Sequence, residues 1–236
     1  MPSDKQILLG LTTTGRSDWR DKVEEIKQFH LTQVALLPTA LTPADRQTLY
    51  KLLEATELES IPYVHLRDDF NPAEMEYLAE RFKVKAFSCH ADAKGYAILD
   101  KLPKYNSLIY VENFASEPAD KFFTPQKFKE HQVSGICLDL AHLEEARRSS
   151  KRHYKRLTAM LDSNKIGVTH ISGIKTSIIF KIFNKTYVDH SLDSLNDLQY
   201  LKDMPAHYFA PLIVLEMENS FMEQLEIKKF VEHFIK

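Results

Sequence analysis

The sequence predicts an α/β fold, a single (β/α)8 barrel, and three observations carry that expectation. Eight short β-type runs recur along the 236 residues. Their starts lie roughly 23 to 31 residues apart until a last gap of about 45, a spacing that suits strand–helix units. Most of the runs are continuously apolar, as parallel strands covered on both faces are. Eight such units favour closure over an open doubly wound sheet, which would usually carry a glycine-rich phosphate loop after its first strand. Gly10-Leu-Thr-Thr-Thr-Gly15 lacks the G-x-G-x-x-G spacing. With no linker, low-complexity tract or repeat beyond the strand–helix period, residues 1–236 read as one domain.

The first strand starts at Gln6, and Ser17 and Asp18 are N-cap candidates for a helix with Trp19, Val23, Ile26 and Phe29 on its apolar face. A second strand from Gln33 leads to a helix marked by Leu49, Leu52, Leu53 and Leu58. The third starts at Ile61, and Asn71-Pro72 then opens a helix carrying Met75, Leu78 and Phe82. Further strands start at Val84, Ser107, Gly135, Ile166 and Pro211, and a closing helix runs from Phe221 through Leu225 and Phe230 to Phe234. The cations Arg147, Arg148, Lys151, Arg152, Lys155 and Arg156 fall on the helix after strand six, a solvated face answering Glu144 and Glu145. Between strands seven and eight lies an insertion whose stretch Thr176-Ser-Ile-Ile-Phe-Lys-Ile-Phe suits a helix, a hairpin arm or a lid spanning residues 176–195.

Composition narrows the functional classes. A net charge of −2 gives no global attraction to nucleic acid or to an anionic membrane. Cys89 and Cys137 both sit inside apolar runs, as small buried thiols of a reduced protein do. No run approaches the roughly 20 apolar residues of a membrane span. The opening Met-Pro-Ser-Asp-Lys has no apolar signal core, so the cytoplasm is the expected compartment.

Chemistry concentrates at the strand ends. Glu112-Asn113 ends strand five, Asp139 with His142 ends strand six, His170 ends strand seven, and Glu216 with Glu218 ends strand eight. A buried strand has no structural need of such residues, and in a parallel barrel all strand C-termini open on one face. His65 and Arg67 follow strand three, His90 and Asp92 strand four, and Lys175 strand seven, while Asp189 and His190 come from the insertion. Carboxylates mixed with imidazoles suit Mn²⁺, Zn²⁺, Fe²⁺ or Mg²⁺. Taken singly, each histidine reads as a barrel-mouth residue and each acid as a helix cap. Taken together, Glu112, Asp139, His170 and Glu216 read as one ligand set. Arg67 and Lys175 are the cations placed to meet a substrate.

These strand ends resemble those of the xylose isomerase-like TIM barrels, a superfamily of sugar isomerases, ketose 3-epimerases and endonuclease IV. The resemblance spans nearly the whole chain by strand order, and its specific part is Glu112-Asn113, Asp139-x-x-His142, His170 and Glu216. It implies a divalent metal (Mn²⁺, Zn²⁺ or Mg²⁺) held by Glu112, Asp139, His170 and Glu216, with Glu218 able to replace Glu216 from the same side of the strand. The epimerase branch implies Glu112 and Glu216 as an acid/base pair moving a proton through an enediolate, with His142 touching substrate. The endonuclease IV branch implies a second or third metal, with His65, His90, His142, Asp189 and His190 as candidates. Here Gly173 stands where that branch has Asp, and Asp189-His190 replaces its Asp-x-His.

The loops at 38–48 and 66–74 are short and not basic, which favours a sugar or sugar phosphate over nucleic acid. The expected activity is isomerisation or epimerisation, with metal-dependent cleavage of abasic DNA as the alternative. A metal-binding barrel without turnover is the third reading.

Overall fold

Side chains on a strand alternate between faces, and that alternation builds two apolar layers here. Inward-facing Leu8, Ala35, Tyr63, Ala86, Cys137, Val168 and Val214 form a small inner cluster. Their outward neighbours, among them Leu9, Leu36, Val64, Phe87, Val111, Leu138 and Leu215, join the large cluster shared with the helices. Each valine, leucine or phenylalanine among them contributes roughly 1.5–3 kcal/mol when fully buried. A one-residue slip would expose a whole strand's set, so the register is firmly specified.

The computed structural model describes residues 5–113, 121–176 and 186–235. Its strands are β1 (Gln6–Thr12), β2 (Gln33–Leu37), β3 (Ser60–His65), β4 (Ala86–His90), β5 (Ile109–Glu112), β6 (Gly135–Asp139), β7 (Ile166–Ile171), β8 (Gly173–Thr176), β9 (Thr186–Asp189) and β10 (Leu212–Leu215). Strands β1 to β7 and β10 pair in parallel and close into a barrel, with β10 between β7 and β1. The fold is a (β/α)8 barrel. Its seam between β10 and β1 is clasped by Gln224, whose amide receives the Gly10 N–H at 2.7 Å and donates to the Gly10 carbonyl at 2.9 Å. A Cβ on Gly10 would stand 2.1 Å from the Leu215 carbonyl oxygen, so only glycine allows that seam.

Around the barrel lie α1 (Trp19–Gln28), α2 (Pro43–Glu54), α3 (Pro72–Arg81), α4 (Ala93–Lys101), α5 (Pro125–His131), α6 (Leu140–Ser149), α7 (Lys151–Ser163) and, after β10, α8 (Phe221–Val231). Side-chain caps start each of them, for instance Asp18 at α1, Asn71 at α3 and Ser220 with Glu223 in a capping box at α8. The position between β9 and β10 is taken by a 3-10 helix, Leu195–Asp203. No helix among the described residues is long and apolar enough to cross a membrane.

Three expectations shift. Strand β4 begins at Ala86 rather than Val84, just after Lys83 takes a left-handed φ of 56°. Strand β5 begins at Ile109 rather than Ser107, because Pro103–Leu108 winds into a 3-10 helix pinned by Asn106 to the His131 carbonyl at 2.8 Å. The cationic stretch spans two helices, since Ser150 is extended and caps α7 through the His153 N–H. Within the insertion, β8 and β9 pair antiparallel as hairpin arms. Residues 177–183 of the stretch read as helix, hairpin or lid lie outside the described residues.

Candidate metal centre

The inward alternation continues past the inner apolar layer and there becomes polar. Tyr63 is followed two residues on by His65, Tyr110 by Glu112, Cys137 by Asp139, Val168 by His170 and Val214 by Glu216. Strand pairing sets Asp139 beside His170 and His90 beside Glu112. All these strand ends lie at the barrel's C-terminal mouth, where enzymes of this fold carry their sites.

Ligand atoms of Glu112, Asp139, His170 and Glu216 lie within 4.8 Å of one another, and all four residues are buried. His170 Nδ1 stands 2.9 Å from Glu216 Oε2 and 3.6 Å from Glu112 Oε2. Asp139 has two tasks. Its Oδ1 accepts the His142 N–H at 2.8 Å and so caps α6, while its Oδ2 is buried with no hydrogen bond among the described residues. His170 Nδ1 and Glu216 Oε2 are likewise buried without hydrogen-bond geometry. A bare buried oxygen such as Asp139 Oδ2 costs about 1–3 kcal/mol, and it converges with the His170–Glu216 pair, which is close but misaligned. Two carboxylate oxygens and an imidazole nitrogen aimed at one point are a donor set that a divalent cation would satisfy.

Asn113 holds the arrangement. Its amide accepts the Asp139 N–H at 2.7 Å and donates to the Asp139 carbonyl at 3.0 Å, extending the β5–β6 pairing through a side chain.

The electrostatics follow from three buried acids. Burial opposes the charge of Glu112, but His170 and His65 overcome it and hold the carboxyl well below the usual range. Burial also opposes that of Glu216, and His190 with His170 draw it down to about 2. Burial pushes Asp139 up. For His142 burial works against protonation, yet Asp139 and then Glu145 carry it to about 9. The pocket attracts positive charge.

A second group shares Glu112: ligand atoms of His65, His90 and Glu112 also fall within 4.8 Å. His65 Nε2 lies 2.9 Å from Glu112 Oε2, its Nδ1 donates to the Leu66 carbonyl at 3.0 Å, and the His65 and His90 rings pack with centroids 4.7 Å apart. Glu112, Cys137 and His170 form a third such group.

The remaining candidates lie outside these three groups. Glu218 accepts from the Thr14 N–H, the Thr14 hydroxyl (2.6 Å) and the Ser17 hydroxyl, tying the loop after β1 to the end of β10, so Glu216 is the glutamate in the cluster. Asp189 pairs with Arg16 and, at 3.4 Å, with Lys175, which also meets Asp193 at 2.9 Å. Asp92 caps α4. His142 Nδ1 lies 3.5 Å from Glu145 and belongs to none of the three groups. His190 places Nδ1 3.3 Å from the Glu216 carbonyl. Arg67 lines a cavity of about 200 Å³ with His65, His90, Asp92 and Lys94. A larger cavity of about 980 Å³ lies at the opposite end, around Gln6, Gln33 and Lys228, away from every one of these groups.

Sequence reading passed over Tyr63 and Ser88. Tyr63 OH lies 2.5 Å from His170 Nε2 and contacts Ser88 Oγ. Both precede a singled-out histidine by two positions on the same face, which is the signal that identifies them.

No protein-family model matches the chain, and no curated protein does. Among solved structures it is similar to a xylose isomerase domain protein from Planctomyces limnophilus, at 10% identity and a TM-score of 0.46, over 98% of this chain and 96% of that one. The barrel itself rests on its own closed strand order.

Proposed function

We propose that this barrel is a divalent-metal-dependent isomerase or epimerase of the xylose isomerase-like kind, acting on a sugar or sugar phosphate. The observation that carries the reading is the convergence of Glu112, Asp139, His170 and Glu216, with three of their atoms buried and lacking hydrogen bonds. A divalent ion bound there would supply polarisation of a substrate carbonyl and its neighbouring hydroxyl. Glu112 and Glu216 are the carboxylates that would take a proton from the carbon beside that carbonyl and return it. Arg67, on the wall shared with His65 and His90, is the cation best placed to meet a hydroxyl or phosphate of the substrate. That cavity, about 200 Å³, adjoins the centre through His65 and His90 and is lined by none of Glu112, Asp139, His170 and Glu216. The test is incubation of the Mn²⁺-loaded protein with a panel of ketoses in D₂O. Incorporation of deuterium beside the carbonyl is the expected result, and its absence across the panel counts against the reading.

One observation favours a second reading, an endonuclease IV-like phosphodiesterase. Glu112 is shared between the carboxylate group and the His65–His90 group, the arrangement a bridging carboxylate takes between two metals. This reading expects an oligonucleotide with an abasic site to be cut in Zn²⁺ or Mn²⁺ and spared in chelator. An intact oligonucleotide in both metals removes it.

A further inference from the structure

We infer that Tyr63 is a positioning residue for the metal centre: its hydroxyl, backed by Ser88, fixes which nitrogen of His170 faces the carboxylates. The inference rests on the reading above that His170 is a ligand.

His170 is a two-sided group in the middle of the barrel. One ring nitrogen, Nδ1, faces Glu216 and Glu112, and the other, Nε2, lies 2.5 Å from Tyr63 OH. The rings meet edge to face, 5.2 Å between centroids at 87°, so the phenol also braces the plane of the imidazole. Tyr63 has its own second partner, Ser88 Oγ on the neighbouring strand, and all three side chains are fully buried. Strand register supports the line: β3 pairs with β4, setting Val64 beside Phe87 and His65 beside Ser88.

A neutral imidazole carries one proton, so one nitrogen donates and the other presents a lone pair. A metal needs the lone pair, and the partner of the remote nitrogen decides where it is. With Tyr63 accepting from Nε2–H and donating to Ser88, the proton is held on the far side and Nδ1 is left open toward Glu112, Asp139 and Glu216. Phenylalanine at 63 would keep the ring and lose the acceptor. Nε2–H would then lose its oxygen acceptor and keep only the weaker Cys137 thiol as a neighbour, and the other tautomer, with a proton where a metal must bind, would gain.

The test combines Zn²⁺ titration with ring-nitrogen NMR on protein labelled with ¹⁵N-histidine, the His170 signals being assigned as those lost in His170→Ala. In the Zn²⁺-loaded wild type, His170 is expected to carry its proton on Nε2 and the metal on Nδ1. A proton on Nδ1 overturns the inference without any variant at position 63. In Tyr63→Phe, Zn²⁺ affinity is expected to fall about 10- to 100-fold, as it does when the hydrogen-bond partner of a ligating histidine is removed. Compared as neutral imidazoles, the metal-free variant should show a larger share of the Nδ1–H form than the metal-free wild type, a signature that loss of packing alone does not give. Ser88→Ala is expected to weaken binding less, because the phenol remains. Wild-type affinity in Tyr63→Phe, with His170→Ala strongly impaired, refutes the role of Tyr63 and leaves the metal site standing. Wild-type affinity in His170→Ala refutes the site reading itself.

Discussion

Replacing Asp139 separates two tasks that one carboxylate performs. Asn keeps an oxygen at the Oδ1 position, so it still caps α6 through the His142 N–H (2.8 Å in the native chain), and Asn ranks with Asp at that position. It puts an amide where Oδ2 was, removing the ligand atom and a charge that burial already disfavours. Ala loses both. The metal-free Asp139→Asn protein should therefore melt close to wild type. Asp139→Ala should lose about 0.5–2 kcal/mol of capping, or about 1–8 °C at 2–4 °C per kcal/mol for a chain of this length. Mn²⁺ at a hundred times its dissociation constant should add about 2.7 kcal/mol to the wild type, raising its melting temperature by about 5–11 °C. Neither variant should show that rise. Thermal unfolding followed by circular dichroism, with and without Mn²⁺, reads all four quantities. A full metal-induced rise in Asp139→Asn would refute the assignment of Oδ2 as a ligand.

Other consequences are open to direct measurement. Arg46 is fully buried and bonded to Glu74 through Nε (2.7 Å) and Nη2 (2.9 Å), to Asp69 (2.9 Å) and to the Leu41 carbonyl, so Arg46→Met should cost about 3–5 kcal/mol by stranding Glu74. Chemical denaturation should also show Arg46→Met/Glu74→Leu recovering most of that loss, and a single-variant cost under about 1 kcal/mol contradicts the network. Burial opposes the charge of Glu218, but Ser17, Thr14 and Lys22 depress its folded pKa below 4.5. Its stabilisation is therefore present above that pH and is lost as pH falls through the depressed value. Glu218→Gln should cost about 1.5–3 kcal/mol near neutrality and almost nothing at the acid end of a melting series, and a pH-independent difference sinks the argument. His65→Ala and His90→Ala should each lower metal content by one equivalent if the two groups sharing Glu112 hold two ions. Unchanged stoichiometry in both confines the site to one.

Much of this was legible in the chain, and the physical reason is the strand. A period of two means that once a run is known to face inward, the residue two further on does too. Glu112, Asp139, His170 and Glu216 could thus be placed on one mouth from the ends of apolar runs alone. The end of the apolar run favours Glu216 over Glu218, which shares its side, and Glu218 is engaged by Thr14 and Ser17 on a loop some two hundred positions away. Asp189 offered no pattern, since its partner Arg16 is equally remote. Helix caps were half visible. Asp139 and Asp92 occupy equivalent places before α6 and α4, and only packing leaves one with an oxygen to spare while the other lies outside the cluster. The strand starts at β4 and β5 were misjudged by two residues because a left-handed Lys83 and the 3-10 turn at Pro103 are backbone events that hydrophobicity does not register.

The central claim is that four strand-end residues form one metal site. Its most direct test is elemental analysis of protein loaded with Mn²⁺ or Zn²⁺ and freed of unbound ion, comparing wild type with Glu112→Gln and Glu216→Gln. The account expects bound metal in the wild type and its sharp loss in both variants, with circular dichroism and melting showing the barrel still folded. Equal metal content in all three proteins would contradict it.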